Sequence, residues 1–303
     1  MNSSKPDYSR CKPLLGTFVQ VSLFGNCDET AFHAFSEAAY SEILKAEQIL
    51  SFHRSDSDLG KLNQTQPGQW ITVHPWLASI LRRAEELYFK SEGIFDVGCG
   101  SALLDWGRLP DPSGAKSISC APLSGIKFEI RGAKVRRLTS AILDLGGIGK
   151  GFVVDLAAEK LLELHPSISG TVNAGGDLRV FGKRIQPVSI QIGSGSNSHF
   201  LKSFWENTSL ATSSVRFFTH SIGKKVRRVS EYVQMPHRQP FLRQLTVTVN
   251  APDTIIADSL TKIVMMAPHN IAVACLKHWN AQAQWIETVN SDPEIVHEHR
   301  LLP

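Results

Sequence analysis

With 303 residues, 42% hydrophobic and 20% charged, the chain has the make-up of a folded globular protein with ample core rather than a disordered one. A formal net charge of +4 is too mild to point to nucleic acid by itself, yet it leaves a small anionic ligand comfortable on the surface. No run approaches the roughly 18 apolar residues that a membrane span requires.

In chain order, residues 1–12 are assigned to an N-terminal arm, 13–290 to one folded unit and 291–303 to a polar tail. Gly16 to Phe24 (GTFVQVSLF) alternates as a strand does. Asp28 is placed to cap a helix running to about Leu50, whose Phe32, Phe35, Ala39, Ile43 and Ala46 share one face. SFHRSDSDLGKLN (51–63) has the composition of a polar turn region. His74-Pro75 opens a second helix to about Lys90, with Pro75 suited to the first turn. SEGIFDVGCG (91–100) is a glycine-punctuated loop, and 107–125 is a Pro-, Gly- and Ser-rich exposed connection.

Ile126 to Leu145 has the pattern of a hairpin turning near Gly132, whose second strand leads into a glycine-rich loop and a helix over Phe152–Leu164. TVNAGGDLRVF (171–181) is a strand interrupted by two glycines, and Val188–Ile192 and Leu245–Val249 are further strands. KKVRR (224–228) is most simply a solvated loop, and Ala257–Ala267 a short helix. Long helices mixed with hairpin-like strands predict an α+β fold rather than a regularly alternating parallel sheet.

The five cysteines (Cys11, Cys27, Cys99, Cys120, Cys275) are odd in number, scattered and without a CxxC. That argues against a disulfide framework or a zinc site and fits a reducing compartment. MNSSKPDYSRCKP has no apolar stretch ahead of Cys11, so no export signal is expected there and the cytoplasm is the default location.

LDLGGIGKGFVVD (143–155) places four glycines and Lys150 between a strand-like run and a helix-like one. Glycine turns that open a helix often hold phosphate, because bare N–H groups and the helix dipole favour an anion. A Walker A loop needs Ser or Thr where Gly151 stands, and a dinucleotide fingerprint needs a small residue where Phe152 stands, so neither familiar version fits. A tight turn without ligand is an equal alternative on this stretch alone.

Further segments carry more glycine and acid than packing requires. In order they are PLLGTF (13–18), LSFHRSDSDLGKLN (50–63), SEGIFDVGCG (91–100), LDLGGIGKGFVVD (143–155), VNAGGDL (172–178), LATSS (210–214) and IADSLTKIVMM (256–266). The ordered set resembles the FAD:protein FMN transferases, the ApbE-type flavin transferases, from about Pro13 to Met266. The resemblance implies an α+β fold of two related subdomains around a flavin cleft. It also implies cleavage of the FAD pyrophosphate and attachment of FMN, through a phosphoester, to a Thr or Ser of a partner flavoprotein, with Mg2+ assisting.

Carried over by motif position, Leu15 stands beside the flavin and His53 replaces a Tyr that packs on FAD. Ile94, Phe95 and Asp96 line the nucleotide, while Gly146, Lys150 and Phe152 fall at flavin-contacting positions. Flat side chains stack on a flat ring, Asp96 can accept from an adenine or ribose donor, and Lys150 can neutralise pyrophosphate charge. The implied metal ligands are the Gly149 carbonyl, Asp258 and a Thr hydroxyl, hard oxygens suited to Mg2+.

Two departures stand out. Lys262 occupies the position four residues after Asp258 where the family has its Thr, with Thr261 one position earlier. An ammonium has donors only and cannot coordinate a metal. Either the site binds metal poorly through Thr261, or Lys262, i+4 from Asp258 on one helix face, supplies the positive charge that the metal supplies elsewhere. Before the strand at Leu245, a His-containing segment ending in Asp-Pro-Arg-Thr-Gly-x-Pro is replaced by EYVQMPHRQP (231–240), with Glu231 where the His stands. Glu231 and His237 are the candidate bases, with His220 also near in sequence. FMN transferase, FAD pyrophosphatase releasing FMN and AMP, and non-catalytic flavin-binding protein are the three readings.

Overall fold

The computed structural model describes residues 8–25, 27–110, 125–192, 199–222, 225–288 and 296–301. Its centre is an eight-stranded sheet in which spatial order follows chain order and every neighbouring pair is antiparallel. The strands are Tyr8–Leu14, Thr17–Phe24, Ser169–Ala174, Asp177–Phe181, Thr208–Ser214, Leu245–Ala251, Gln282–Thr288 and Val296–Leu301. Hairpin pairing between consecutive strands, with helices carried in the longer connections, gives the mixed α+β architecture.

The connection from Phe24 to Ser169 carries helices α1 (Glu29–Leu50), α2 (Asp58–Gln64), α3 (Pro75–Lys90), α4 (Gly100–Asp105) and α5 (Gly149–Leu164). The connection from Ala251 to Gln282 carries α6 (Thr254–Met266) and α7 (His269–His278). Asp28 caps α1 by accepting from the Ala31 N–H at 2.7 Å. Phe32, Ala39, Ile43 and Ala46 form its buried face, while Phe35 packs at the core edge. His74 Nδ1 accepts from the Trp76 N–H at 3.2 Å and Pro75 fills the first turn of α3.

Several expectations change in the structure. The arm assigned to 1–12 becomes, from Tyr8, an edge strand of the main sheet, because its residues pair in register with Thr17–Leu23. Val296–Leu301, inside the expected tail, pairs with Gln282–Thr288 as the opposite edge. The polar region after α1 contains α2, since Ser57 Oγ caps the Gly60 N–H at 2.9 Å and Leu59 and Leu62 reach the core. The glycine-interrupted strand is a hairpin: Gly175 (φ 64°) and Gly176 (φ 105°) turn the chain in a region closed to most side chains. KKVRR lies mostly in a strand, Lys225–Ser230, paired with Phe217–Ile222. Most of the expected exposed connection, residues 111–124, lies outside the described residues.

The hairpin around Gly132 forms from Phe128–Arg131 and Lys134–Arg137 and ends earlier than its apolar pattern implied. Beyond it the chain is held by partners other than a neighbouring strand. Asn63 of α2 clamps Leu143, donating to its carbonyl and accepting from its N–H, each at 2.8 Å. The Asp144 N–H donates to Val97 O at 2.8 Å. The glycine loop is thereby delivered to the N-terminus of α5, three residues earlier than Phe152.

Helices α5 and α6 meet closely. Both Asp155 carboxylate oxygens accept from the first turn of α6, from the Thr254 and Ile255 N–H groups at 2.9 Å each. A Cβ on Gly151 would stand 2.3 Å from the Thr254 carbonyl oxygen, so only glycine permits this approach. Helix α6 is buried on nearly all sides, with Ala257, Asp258, Leu260, Thr261 and Ile263 fully enclosed. We expect Gly151→Ala to lose about 1–3 kcal/mol of stability through the backbone collision, despite alanine's better helix propensity. Urea denaturation of both proteins measures it, and an unchanged or raised midpoint contradicts the contact.

Candidate active site

One cleft of about 940 Å³ runs between the sheet, the α1–α2 turn, the 91–100 loop and the start of α5. Leu15, His53, Ile94, Phe95, Asp96, Gly146, Gly149, Lys150, Glu231 and Lys262, drawn from distant parts of the chain, all line it. Leu15 enters from a two-residue hairpin loop in which it (φ 56°) and Gly16 (φ 68°) both adopt the left-handed conformation. Left-handed backbone is what such a tight loop demands, and it is costly for a branched side chain. His53 sits exposed in the turn after α1. Phe95 is 5% exposed and packs under the glycine loop, its ring 3.5 Å from where a Cβ on Gly147 would lie.

Asp96 is not a free acceptor. Its side chain accepts from the Gly98 N–H at 2.7 Å and pairs with the buried Lys127 ammonium at 3.3 Å. Burial pushes its pKa up, against the pull of Lys127. Phe152 lies off the cleft. Because α5 begins at Gly149, Gly149, Lys150 and Val153 share the cleft face, and Phe152 turns to an adjoining face with Asp155 and Leu156. His237 is exposed in the turn between Val233–Gln234 and Gln239–Pro240 and does not line the cleft; His220 packs against Gly107, also away from it.

The floor of the cleft is a set of four charges, of which Asp177, Asp258 and Lys262 are buried and Lys150 is half-exposed. Lys150 Nζ bonds to Asp177 Oδ2 at 2.5 Å, and Lys262 Nζ bonds to Asp258 Oδ1 and, at 3.0 Å, to the Asp258 carbonyl oxygen. In both pairs the acid is enclosed (1% and 0% side-chain exposure) and the ammonium is the member that reaches the cleft. The wall is thus neutral in sum but positive on its open side. Burial raises the Asp258 pKa, but Lys262 and Lys150 outweigh it and hold the carboxyl below its ordinary range. Asp177 is pushed up to about 6 by burial and by the neighbouring Asp258 charge, with Lys150 opposing. Burial works against the Lys150 ammonium, but Asp258 and Asp177 together raise its pKa.

These contacts bear on the metal. Asp258 Oδ2 accepts from the Gly151 N–H at 3.3 Å, so both carboxylate oxygens are engaged. Thr261 is fully buried behind the cleft; its hydroxyl bonds to the Asp258 carbonyl at 2.6 Å and to Ser213 Oγ at 2.8 Å. No group of three or more His, Cys, Asp or Glu placed to hold a metal ion occurs among the described residues. The residues present do not fit the Mg2+ site that Gly149, Asp258 and Thr261 would form. The ammonium of Lys262 is held where that set would need an ion.

Glu231 lies at the cleft wall beside Arg216, whose N–H donates to Oε1 at 3.3 Å. Its other oxygen, Oε2, is buried and has no hydrogen-bond partner among the described residues. Tyr232 and Arg108 also line the cleft, Arg108 stacking on Phe218 at 3.4 Å from the ring centroid. Asp177, Lys127, Tyr232, Arg108 and Arg216 were not singled out from sequence. Asp177 and Tyr232 stood in the quoted stretches VNAGGDL and EYVQMPHRQP; Lys127, Arg108 and Arg216 lie in segments with no motif.

The model of the ApbE family matches residues 15–285. The chain belongs to the ApbE family. It is 28% identical over 259 residues to a FAD:protein FMN transferase of Haemophilus influenzae, covering 77% of this chain and 74% of that one. It is 27% identical over 189 residues to the FAD:protein FMN transferase of Treponema pallidum, where the match spans 58% of this chain and about half (52%) of the relative. The fold matches the apo flavinyl transferase ApbE of Pseudomonas stutzeri with a TM-score of 0.77 at 20% identity, over 99% of this chain and 96% of that one. It matches the ApbE protein of Thermotoga maritima with a TM-score of 0.76 at 22% identity, over 96% of each. The fold expectation is met: helices and antiparallel sheets in the family's arrangement.

Because α6 begins at Thr254, Asp258 lies a full turn inside a buried helix, not at its start. Asp258→Asn therefore strands a buried ammonium, and we expect it to cost about 3–5 kcal/mol, against the 0.3–1 kcal/mol typical of an exposed helix-end charge. The double variant Asp258→Asn/Lys262→Met should recover much of that loss. Denaturant curves for the two variants measure the coupling; additive losses contradict it.

Proposed function

We propose that this protein is an FAD:protein FMN transferase, which cleaves the FAD pyrophosphate and attaches FMN to a Thr or Ser hydroxyl of a partner flavoprotein. The observation that carries the reading is that the family's flavin-side positions other than Phe152 line one cleft whose floor presents two ammonium groups, Lys150 and Lys262. An isoalloxazine fits against Leu15 and His53, and the pyrophosphate belongs at the lysines. Phosphoryl transfer is chiefly positioning and charge stabilisation, which a preorganised cationic floor supplies.

In the proposed step the acceptor oxygen attacks the FMN-side phosphorus in line. A new P–O bond forms, the bridging P–O bond breaks, and AMP departs with the bridging oxygen. The Glu231 carboxylate, at the cleft wall, takes the hydroxyl proton. His237, in an exposed turn, has no part in it. Lys150 and Lys262 hold the phosphate charges as negative charge grows on the leaving AMP. Cys11, Cys27, Cys99 and Cys275 are free thiols, which accords with a cytoplasmic location for the enzyme.

Incubating the purified protein with FAD and a flavoprotein bearing an acceptor Thr or Ser tests the activity by mass spectrometry. Covalent FMN on the acceptor is the expected result. AMP and FMN released without attachment would make the protein a pyrophosphatase, and FAD bound but unchanged would make it a binding protein. Glu231→Gln should lower transfer about 10²–10⁴-fold, the usual worth of a general base, while leaving the FAD dissociation constant nearly the same. His237→Ala should stay within about twofold of wild type. Equal losses in the two variants would remove Glu231 from the mechanism.

A further inference from the structure

We infer that Lys262 stands in place of a divalent cation, so that this cleft binds and activates its pyrophosphate without a metal ion. The inference rests on the flavin-transferase reading for the identity of the ligand, but its foundation is the geometry of α5 and α6. A metal at this point needs oxygen lone pairs facing the cleft. Asp258 is fully buried and does not face the cleft; one carboxylate oxygen and the main-chain carbonyl are bound by the Lys262 ammonium, and the other carboxylate oxygen by the Gly151 N–H. The Thr261 hydroxyl faces Ser213 and its own helix. Of Asp258, Thr261 and Lys262, only Lys262 lines the cleft.

The charge balance points the same way. Asp177, Asp258, Lys150 and Lys262 cancel as they stand, so each enclosed carboxylate has its counter-charge. A divalent ion added among them would place two surplus positive charges beside two ammonium groups. Of these four side chains, a pyrophosphate laid on the open side meets the two ammonium ends. An ammonium has three donors; Lys262 spends two on Asp258 and keeps one for a phosphate oxygen. Its stem passes beneath the glycine loop, with Cε 3.7 Å from where a Cβ on Gly147 would stand, so bare backbone lies directly above the charge.

The direct test uses the wild-type protein and Mn2+ as a spectroscopic substitute for Mg2+, followed by electron paramagnetic resonance with and without FAD. No protein-bound Mn2+ signal at micromolar ion is expected. In parallel, FAD affinity measured by fluorescence should change less than about twofold between EDTA and millimolar Mg2+. Lys262→Thr should acquire bound Mn2+ and make FAD binding sensitive to EDTA by about tenfold or more. Stoichiometric Mn2+ in the wild type, or EDTA-sensitive FAD binding there, overturns the inference. Should Lys262→Thr fail to fold, the wild-type titrations still decide. Should FAD fail to bind at all, the flavin reading falls, while the Mn2+ titration still judges the metal site.

Discussion

The ion pair between Asp258 and Lys262 is the contact around which the cleft is organised. Helix α6 is enclosed on nearly every side, and a lone carboxylate in such a place would cost far more than a helix can return. Lys262 removes that cost from one turn away, and its apolar stem lets the charge reach the cleft while the helix stays packed. The second pair, Lys150 with Asp177, repeats the arrangement from α5 and the sheet. Acids behind and ammonium groups in front make a wall that carries no net charge yet shows a positive face.

That wall depends on how closely α5 and α6 approach. Gly151 lets the helices touch backbone to backbone, and Asp155 ties the start of α6 to the side of α5. Asn63 fixes the glycine loop from the other direction through Leu143. Residues that look catalytic by composition are therefore partly scaffolding. The glycine loop is kept bare above Lys262 by contacts that themselves touch no ligand.

Elements with a strong period or a clear cap were legible in the chain. Asp28 and His74-Pro75 mark the starts of α1 and α3, and the segment read as a helix ending near Ala267 is α6 within three residues at its start. Edge strands were not, because YSRCKPL (8–14) and VHEHRL (296–301) lack the alternation of apolar and polar residues that marks a strand and are defined by pairing with their neighbours. The site divides similarly. The motif positions that line the cleft were visible through their glycines and through Lys150. The Asp177–Lys150 pair, the loss of Asp96 to Lys127 and the turning of Phe152 off the cleft follow from where helices begin and how they pack. The i+4 spacing of Asp258 and Lys262 announced their pairing; the full enclosure of Asp258 did not show in sequence.

The account is tested most directly by a crystal structure of the wild-type protein with FAD, soaked in Mn2+ and measured at the manganese absorption edge. It predicts pyrophosphate oxygens within hydrogen-bond distance of Lys150 Nζ and Lys262 Nζ, Asp258 still paired with Lys262, and no anomalous peak in the cleft. A manganese peak bridging Asp258 and the pyrophosphate, with Lys262 displaced from both, would contradict it.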